Sequence, residues 1–274
     1  MKLILSTIIF FLSFAGTTGK RKSDLQKDGY KGKIKQIKEQ TYEAKDTLGR
    51  IVQGAEIKNP FFNYVKLFNE NADLVENSCL DEENSIYCKE VHVYDDKGHK
   101  TEMNYYRGAN SLEYHTVYTT DKDGNITEDR RMKPDGSLDS KYTFSYDGQG
   151  HETEYDVYYE DGSLKTKYVY EFNTMGNCVE AKTYDGKGAL NNTDLFTYDT
   201  KGNRIGWDEN SRMKHTYKYD EEDNLLEWKC YRDDGTLYDK STYTYEYDKQ
   251  GNWIRKTSIE SVGTRIVTHV IIYY

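Results

Sequence analysis

The sequence predicts an all-β protein in which tandem 26-residue β-hairpin repeats form an extended, curled antiparallel meander sheet. Two observations carry this. Turn signals recur at a fixed period, and the composition suits half-buried sheet surface. With 27 Tyr, 9 Phe, 2 Pro and a mean hydropathy of −0.95, the chain is short of aliphatic residues and rich in a strand-favouring aromatic with a polar tip.

Repeat starts fall at Tyr42, Phe68, Tyr94, Thr120, Tyr146, Phe172 and Tyr198, each 26 residues after the last. A shortened unit then runs from Tyr198 to Tyr219, and a lengthened one to Tyr247. Each unit carries two turns. The first reads YDDKGH at Tyr94, TDKDGN at Thr120, YDGQGH at Tyr146, FNTMGN at Phe172, YDTKGN at Tyr198 and YDKQGN at Tyr247. The second reads PDGSL at Pro134, EDGSL at Glu160, GKGAL at Gly186 and DDGTL at Asp233. Asp or Asn before Gly supplies the positive φ of a tight or bulged hairpin loop. Turns are therefore expected at Gly98, Gly124, Gly136, Gly150, Gly162, Gly176, Gly202, Gly235 and Gly251.

The chain divides into three parts. Residues 1–15 hold an apolar run with Ser13 and Ala15 at its end, the pattern of a signal peptide cleaved after Ala15. Residues 16–41 form a Lys-rich leader and a first strand, and residues 42–274 form the repeat domain. No later stretch is long and apolar enough for a spanning helix, so export to periplasm, cell surface or medium is expected. The net charge of −9 argues against nucleic acid as a partner, since phosphate binding needs a basic surface.

A three-residue loop with a terminal Gly bulge conserves facing across each turn. On that basis Tyr146, Glu154, Tyr158, Leu164, Tyr168 and Tyr170 share one aromatic face, joined by Tyr142 and Phe144. Thr153, Tyr155, Val157, Lys165, Lys167 and Val169 share the other. The Glu recurring as Glu76, Glu102, Glu128, Glu154, Glu180 and Glu227 falls on the aromatic face. There it either accepts hydrogen bonds from Tyr hydroxyls or a Lys across the strand, or it contacts a ligand. Candidate ligand-binding residues are Tyr142, Glu154, Tyr158, Tyr168, Tyr170 and Glu128, because aromatic faces stack on sugar rings while carboxylates bind hydroxyls.

The pattern YDxxGNxxE followed by YxxDGSLxxKYxYxYD resembles the YD, or RHS, repeat family, and YYEDGSL resembles MORN-variant repeats. The resemblance covers nearly the whole chain after residue 15. It implies wide antiparallel sheets that spiral, an exported or surface-displayed protein, and sugar binding. This chain is far shorter than the shell-forming members, and its end, RIVTHVIIYY, reads as a last strand.

Catalytic signatures are missing from the sequence. Asp121-Lys122-Asp123-Gly124-Asn125 opens like a calcium loop but has Met132 where the bidentate Glu belongs. His151-Glu152 opens like a zinc-protease motif but Tyr155 replaces the second His. No cofactor and no enzymatic activity are expected. Cys79 and Cys88 flank a turn and can face one another as a hairpin disulfide, or remain separate thiols. Cys178 and Cys230 lie on non-adjacent strands and are expected to stay unpaired. The first functional reading is a non-enzymatic exported scaffold that binds a polymer or surface protein, with a glycan as first choice. The second is a structural or assembly module related to a larger RHS-like system, and a degradative enzyme ranks last.

Overall fold

The computed structural model describes residues 23–274. The expected signal peptide, residues 1–15, lies outside the described residues. A short helix, α1 (Asp24–Lys27), is opened by a capping box: Gln26 N–H donates to the Ser23 hydroxyl, and the Gln26 side chain accepts from Ser23 N–H. Strands follow: β1 (Ile34–Thr47), β2 (Arg50–Glu56), β3 (Tyr64–Phe68), β4 (Leu74–Leu80), β5 (Ile86–Tyr94), β6 (Lys100–Arg107), β7 (Ser111–Thr120), β8 (Ile126–Met132), β9 (Leu138–Tyr146) and β10 (Glu152–Tyr158). The remainder are β11 (Leu164–Phe172), β12 (Cys178–Asp185), β13 (Leu190–Tyr198), β14 (Arg204–Glu209), β15 (Met213–Tyr219), β16 (Leu225–Arg232), β17 (Leu237–Tyr247), β18 (Trp253–Glu260) and β19 (Gly263–Tyr273).

The expected hairpins form, but the meander is neither extended nor open. One edge of β1 pairs with β19, from Ile37↔Ile271 to Glu43↔Arg265. Its other edge pairs with β3, from Gln36↔Leu67 to Glu39↔Tyr64, and then with β2. The ring therefore closes as an 18-strand barrel, with β2 as an added flap. Closure removes both free sheet edges, which would otherwise template further pairing. The buried Asn63 marks where β1 changes partner: it accepts from Thr41 N–H at 2.9 Å and donates to the Ile57 carbonyl at 3.0 Å.

The turns are built by their acids. In the β7–β8 hairpin the Asp121 carboxylate accepts from the backbone N–H of Asp123 (2.8 Å) and Asn125 (3.0 Å), while Gly124 takes φ +86°. Asp95, Asp147, Asn173, Asp185, Asp199, Asp220 and Asp248 repeat this arrangement. Every turn glycine expected from the sequence has positive φ. The calcium-like segment is thus a hairpin loop.

A Tyr near the strand end has a separate task, the Tyr of the YD pair in three units and Tyr245, two residues before it, in a fourth. Tyr94, Tyr146, Tyr198 and Tyr245 donate their hydroxyls to the carbonyls of Leu74, Ile126, Cys178 and Leu225, each 20 residues earlier. These bonds tie each strand end to the start of its neighbour.

The expected facing across each turn is overturned. Beyond the Gly bulge nearly every hairpin has a second irregularity: Tyr158 pairs with Leu164, but Val157 pairs with Thr166, so Lys165 is an extra residue. That one residue reverses parity, and Tyr155, not Glu154, shares a face with Tyr168. Paired residues project to the same side, so the partners trace two continuous faces round the barrel. One bears the rings and is the concave wall. Its members Cys88, Thr116, His215, Cys230, Ser258 and His269 are buried, whereas Val93, Val117, Leu195, Ile259 and Val270 on the other face are exposed.

Residues 23–33 pack against the concave wall at the end where the first turns gather. Leu25 is buried there with Ile34, Ile37 and Phe68. Tyr94 donates to Asp24 at 2.8 Å, and Asn252 binds both the N–H and the carbonyl of Lys31 at 2.8 Å.

Candidate functional site: the aromatic inner wall

The alternation of ring and polar residue along the strands sends most rings inward and most Glu and Lys outward. Neighbouring strands bring the rings into sets. Tyr105 stacks on Tyr114 at 4.7 Å, and the Arg131 guanidinium lies 4.2 Å over the Tyr114 ring. Tyr155 stacks between Phe144 (5.2 Å) and Tyr168 (5.2 Å), with Tyr142 at 5.9 Å. Trp207 stacks on His215 at 4.3 Å, and His215 on Trp228 at 5.8 Å. Trp253 meets His269 at 3.6 Å beside the closure. These contacts run sideways along the wall, from strand to neighbouring strand. With strands about 4.8 Å apart, eighteen of them give a girth of roughly 86 Å, wide enough to leave a lumen between opposite walls.

Between the second and third sets lies β12, whose inward residues are small. Ala181 pairs with Tyr170 and Asp194, and Thr183 with Tyr168 and Asn192. The ring belt is therefore interrupted over β12.

Two polar groups on this wall, Asp194 and His215, accept from the ring N–H of a neighbouring Trp. Trp207 Nε1 donates to Asp194 Oδ1 at 3.1 Å, and Asn192 donates to Asp194 Oδ2 at 2.7 Å. Trp228 Nε1 donates to His215 Nδ1 at 3.2 Å, which leaves the His215 proton on Nε2, 3.4 Å from Glu209 Oε2. Burial lowers the His215 pKa against the opposing pull of Glu209, so the ring is neutral at pH 7. Burial raises Asp194. It also raises Asp129 to about 6, against the attraction of Arg131, and Glu152 to about 7. At the closure His269 Nε2 lies 2.8 Å from Glu39, which also accepts from Tyr64 at 2.6 Å.

The six candidate residues are divided between the two faces. Tyr142, Tyr168 and Tyr170 lie on the inner wall. Glu128, Glu154 and Tyr158 lie outside: Glu154 pairs with Lys167 at 2.7 Å, Glu128 lies 3.8 Å from Arg130, and Tyr158 sits 4.2 Å beneath Lys141. The recurring Glu is thus an outer-wall residue, which meets cations at Glu128, Glu154, Glu180 and Glu227 and accepts from the Ser78 hydroxyl at Glu76. Glu227 contacts Lys229, Lys240 and Lys218 at 2.9, 3.0 and 3.2 Å, and these lysines depress its carboxyl to about 2.

Tyr155, Asp129, Trp207, His215 and Trp228 were not singled out from the sequence. The available signal was that two of the three Trp, Trp207 and Trp228, fall in or beside the shortened repeat, while parity alone hid Tyr155. His151, which opened the zinc-like motif, is a rim residue: Nδ1 bonds Asp147 at 2.8 Å and its ring stacks on Phe172. Cys79 and Cys88 are in register on β4 and β5, both as thiols. Burial and then the Cys88 thiol push Cys79 up to about 12. The described residues contain no cluster of metal-ligating side chains and no helix long and apolar enough to cross a membrane.

Fold and wall together define a closed antiparallel barrel with an aromatic, carboxylate-dotted lumen and an ion-paired exterior. No family description matches the sequence, and no curated protein is significantly similar to it. Among solved structures, a porin-like protein from Bacteroides uniformis superimposes with TM-score 0.46 at 13% identity, over 87% of this chain and 96% of that one. A porin-like protein from Bacteroides vulgatus gives 0.41 at 11% identity, over 88% and 98%. A structure of TcdB2-TccC3 gives 0.29 at 14% identity, where the match spans 82% of this chain but only 14% of the other.

Proposed function

We propose that this protein is an exported, water-soluble barrel of YD-type repeats that binds a neutral glycan chain inside its lumen without catalysis. The carrying observation is the sorting of side chains between the two walls. Most rings and the half-buried carboxylates Asp129, Glu152 and Asp194 face inward, while Glu–Lys pairs occupy the middle of the outer strands. A membrane-spanning barrel needs an apolar outer band, and lysines at mid-depth oppose insertion. A lipid or other purely apolar ligand would call for an aliphatic wall; this one offers rings with polar tips, the surface that suits a hydroxylated ring. Glu209, Asp194 and a net charge of −9 disfavour acidic polymers.

The test is isothermal titration of the purified barrel with cellohexaose, xylohexaose, laminarihexaose and chitohexaose, repeated with Tyr142→Ala/Tyr168→Ala. Binding of at least one oligosaccharide by the parent and its loss in the double variant, with an unchanged far-UV spectrum, supports the reading. Absence of binding to all four, or partition of the parent into liposomes, refutes it.

A further inference from the structure

The lumen wall is not uniform. Rings stacked against one another spend their faces on each other, so a ligand ring can lie flat only where a stack ends beside open space. Such an end occurs over β12. Tyr168 has one face against Tyr155 on β10, and on its other side β12 presents only Thr183 and Ala181. Across that gap stand Asn192 and Asp194 of β13. The flanking strands are two spacings apart, about 9.6 Å, which is room for one six-membered ring between the side chains.

The far side of this slot is pre-oriented. Asp194 is fixed by Trp207 Nε1 at 3.1 Å and by Asn192 at 2.7 Å, and each carboxylate oxygen retains acceptor capacity for a further hydroxyl. Trp207 is in turn fixed by stacking on His215. The short β14–β15 hairpin holds that pair directly opposite without a register shift, its loop residues Asn210 and Ser211 both at positive φ. A groove with an open aromatic face on one wall, a small-residue floor and a locked carboxylate on the other has the makings of a sugar subsite. Because its polar groups are already held, ordering them costs a ligand little.

We propose that the slot over β12, bounded by Tyr168, Tyr170, Asn192 and Asp194 and floored by Ala181 and Thr183, is the principal subsite for one neutral pyranose ring of the glycan. This rests on the lumen-binding reading above. The pyranose face lies on Tyr168 and its hydroxyls donate to Asp194.

The experiment fills the slot instead of removing its walls. Ala181→Phe is titrated with whichever of the four hexaoses the parent binds, alongside Ser241→Phe, which places the same ring on a small inner-wall position between Trp228 and Tyr243. Expected is an affinity loss of ~30-fold or more for Ala181→Phe and of about twofold at most for Ser241→Phe. Asp194→Asn keeps the shape and should cost ~10-fold, so the inference stays testable if the bulky variant fails to fold. Parental affinity in Ala181→Phe or in Asp194→Asn overturns the slot while leaving lumen binding intact. A parent that binds none of the four overturns both.

Discussion

Replacing Glu152 with Gln should stabilise the protein near pH 8 and leave it unchanged near pH 4.5. Glu152 lies at the start of β10 close to Tyr146, Tyr155 and Tyr170, and burial alone lifts its carboxyl from 4.5 to about 7. The native state therefore holds the proton more tightly than the unfolded chain does. Between pH 4.5 and about 7 the folded protein binds more protons, so stability falls as pH rises through that window. Each pK unit corresponds to about 1.36 kcal/mol, so the full shift amounts to about 3 kcal/mol. Glu152 is not fully enclosed, and lumen water screens part of this, leaving roughly 1–2 kcal/mol. Gln cannot ionise and removes the cost. Urea denaturation followed by far-UV circular dichroism across this pH range reads the difference directly. Equal or lower stability of Glu152→Gln near pH 8, or an advantage that persists near pH 4.5, would refute the reasoning.

Gly124→Ala should destabilise the barrel by about 1–3 kcal/mol in a thermal melt, because φ is +86° and the new Cβ would stand 2.5 Å from the His99 ring. Gly136→Ala, at φ +83° with open space around it, should cost less than Gly124→Ala. Tyr146→Phe removes the hydroxyl bond to the Ile126 carbonyl and should lower stability by about 1 kcal/mol in urea. Mild oxidation should link Cys79 to Cys88, which are in register, and leave Cys178 and Cys230 on β12 and β16 as thiols. Peptide mapping without reductant checks this, and the bridge should add roughly 2–3 kcal/mol.

The sequence by itself determined the local elements. Asp-x-x-Gly turns need only the acid that accepts two backbone N–H groups and the glycine that takes positive φ, so a period of such turns fixes where strands begin and end. Alternation within a strand also placed Tyr168 with Tyr170 on β11 and Tyr142 with Phe144 on β9, but that the two pairs share one wall follows only from the pairing of both strands with β10, where two parity reversals cancel. Which Glu and which Tyr share that face was decided only by the tertiary structure. One extra residue in nearly every hairpin, such as Lys165, reverses the side on which the next strand's residues project, and no residue type announces it. That reversal sent Glu128, Glu154 and Tyr158 to the outer wall and brought Tyr155 inward. Closure was likewise beyond local reading, because it depends on β1 pairing with β19, more than two hundred residues away, and with β3 on its other edge. The cost of a free edge, and the burial of Ile37 between those partners, are properties of the ring as a whole.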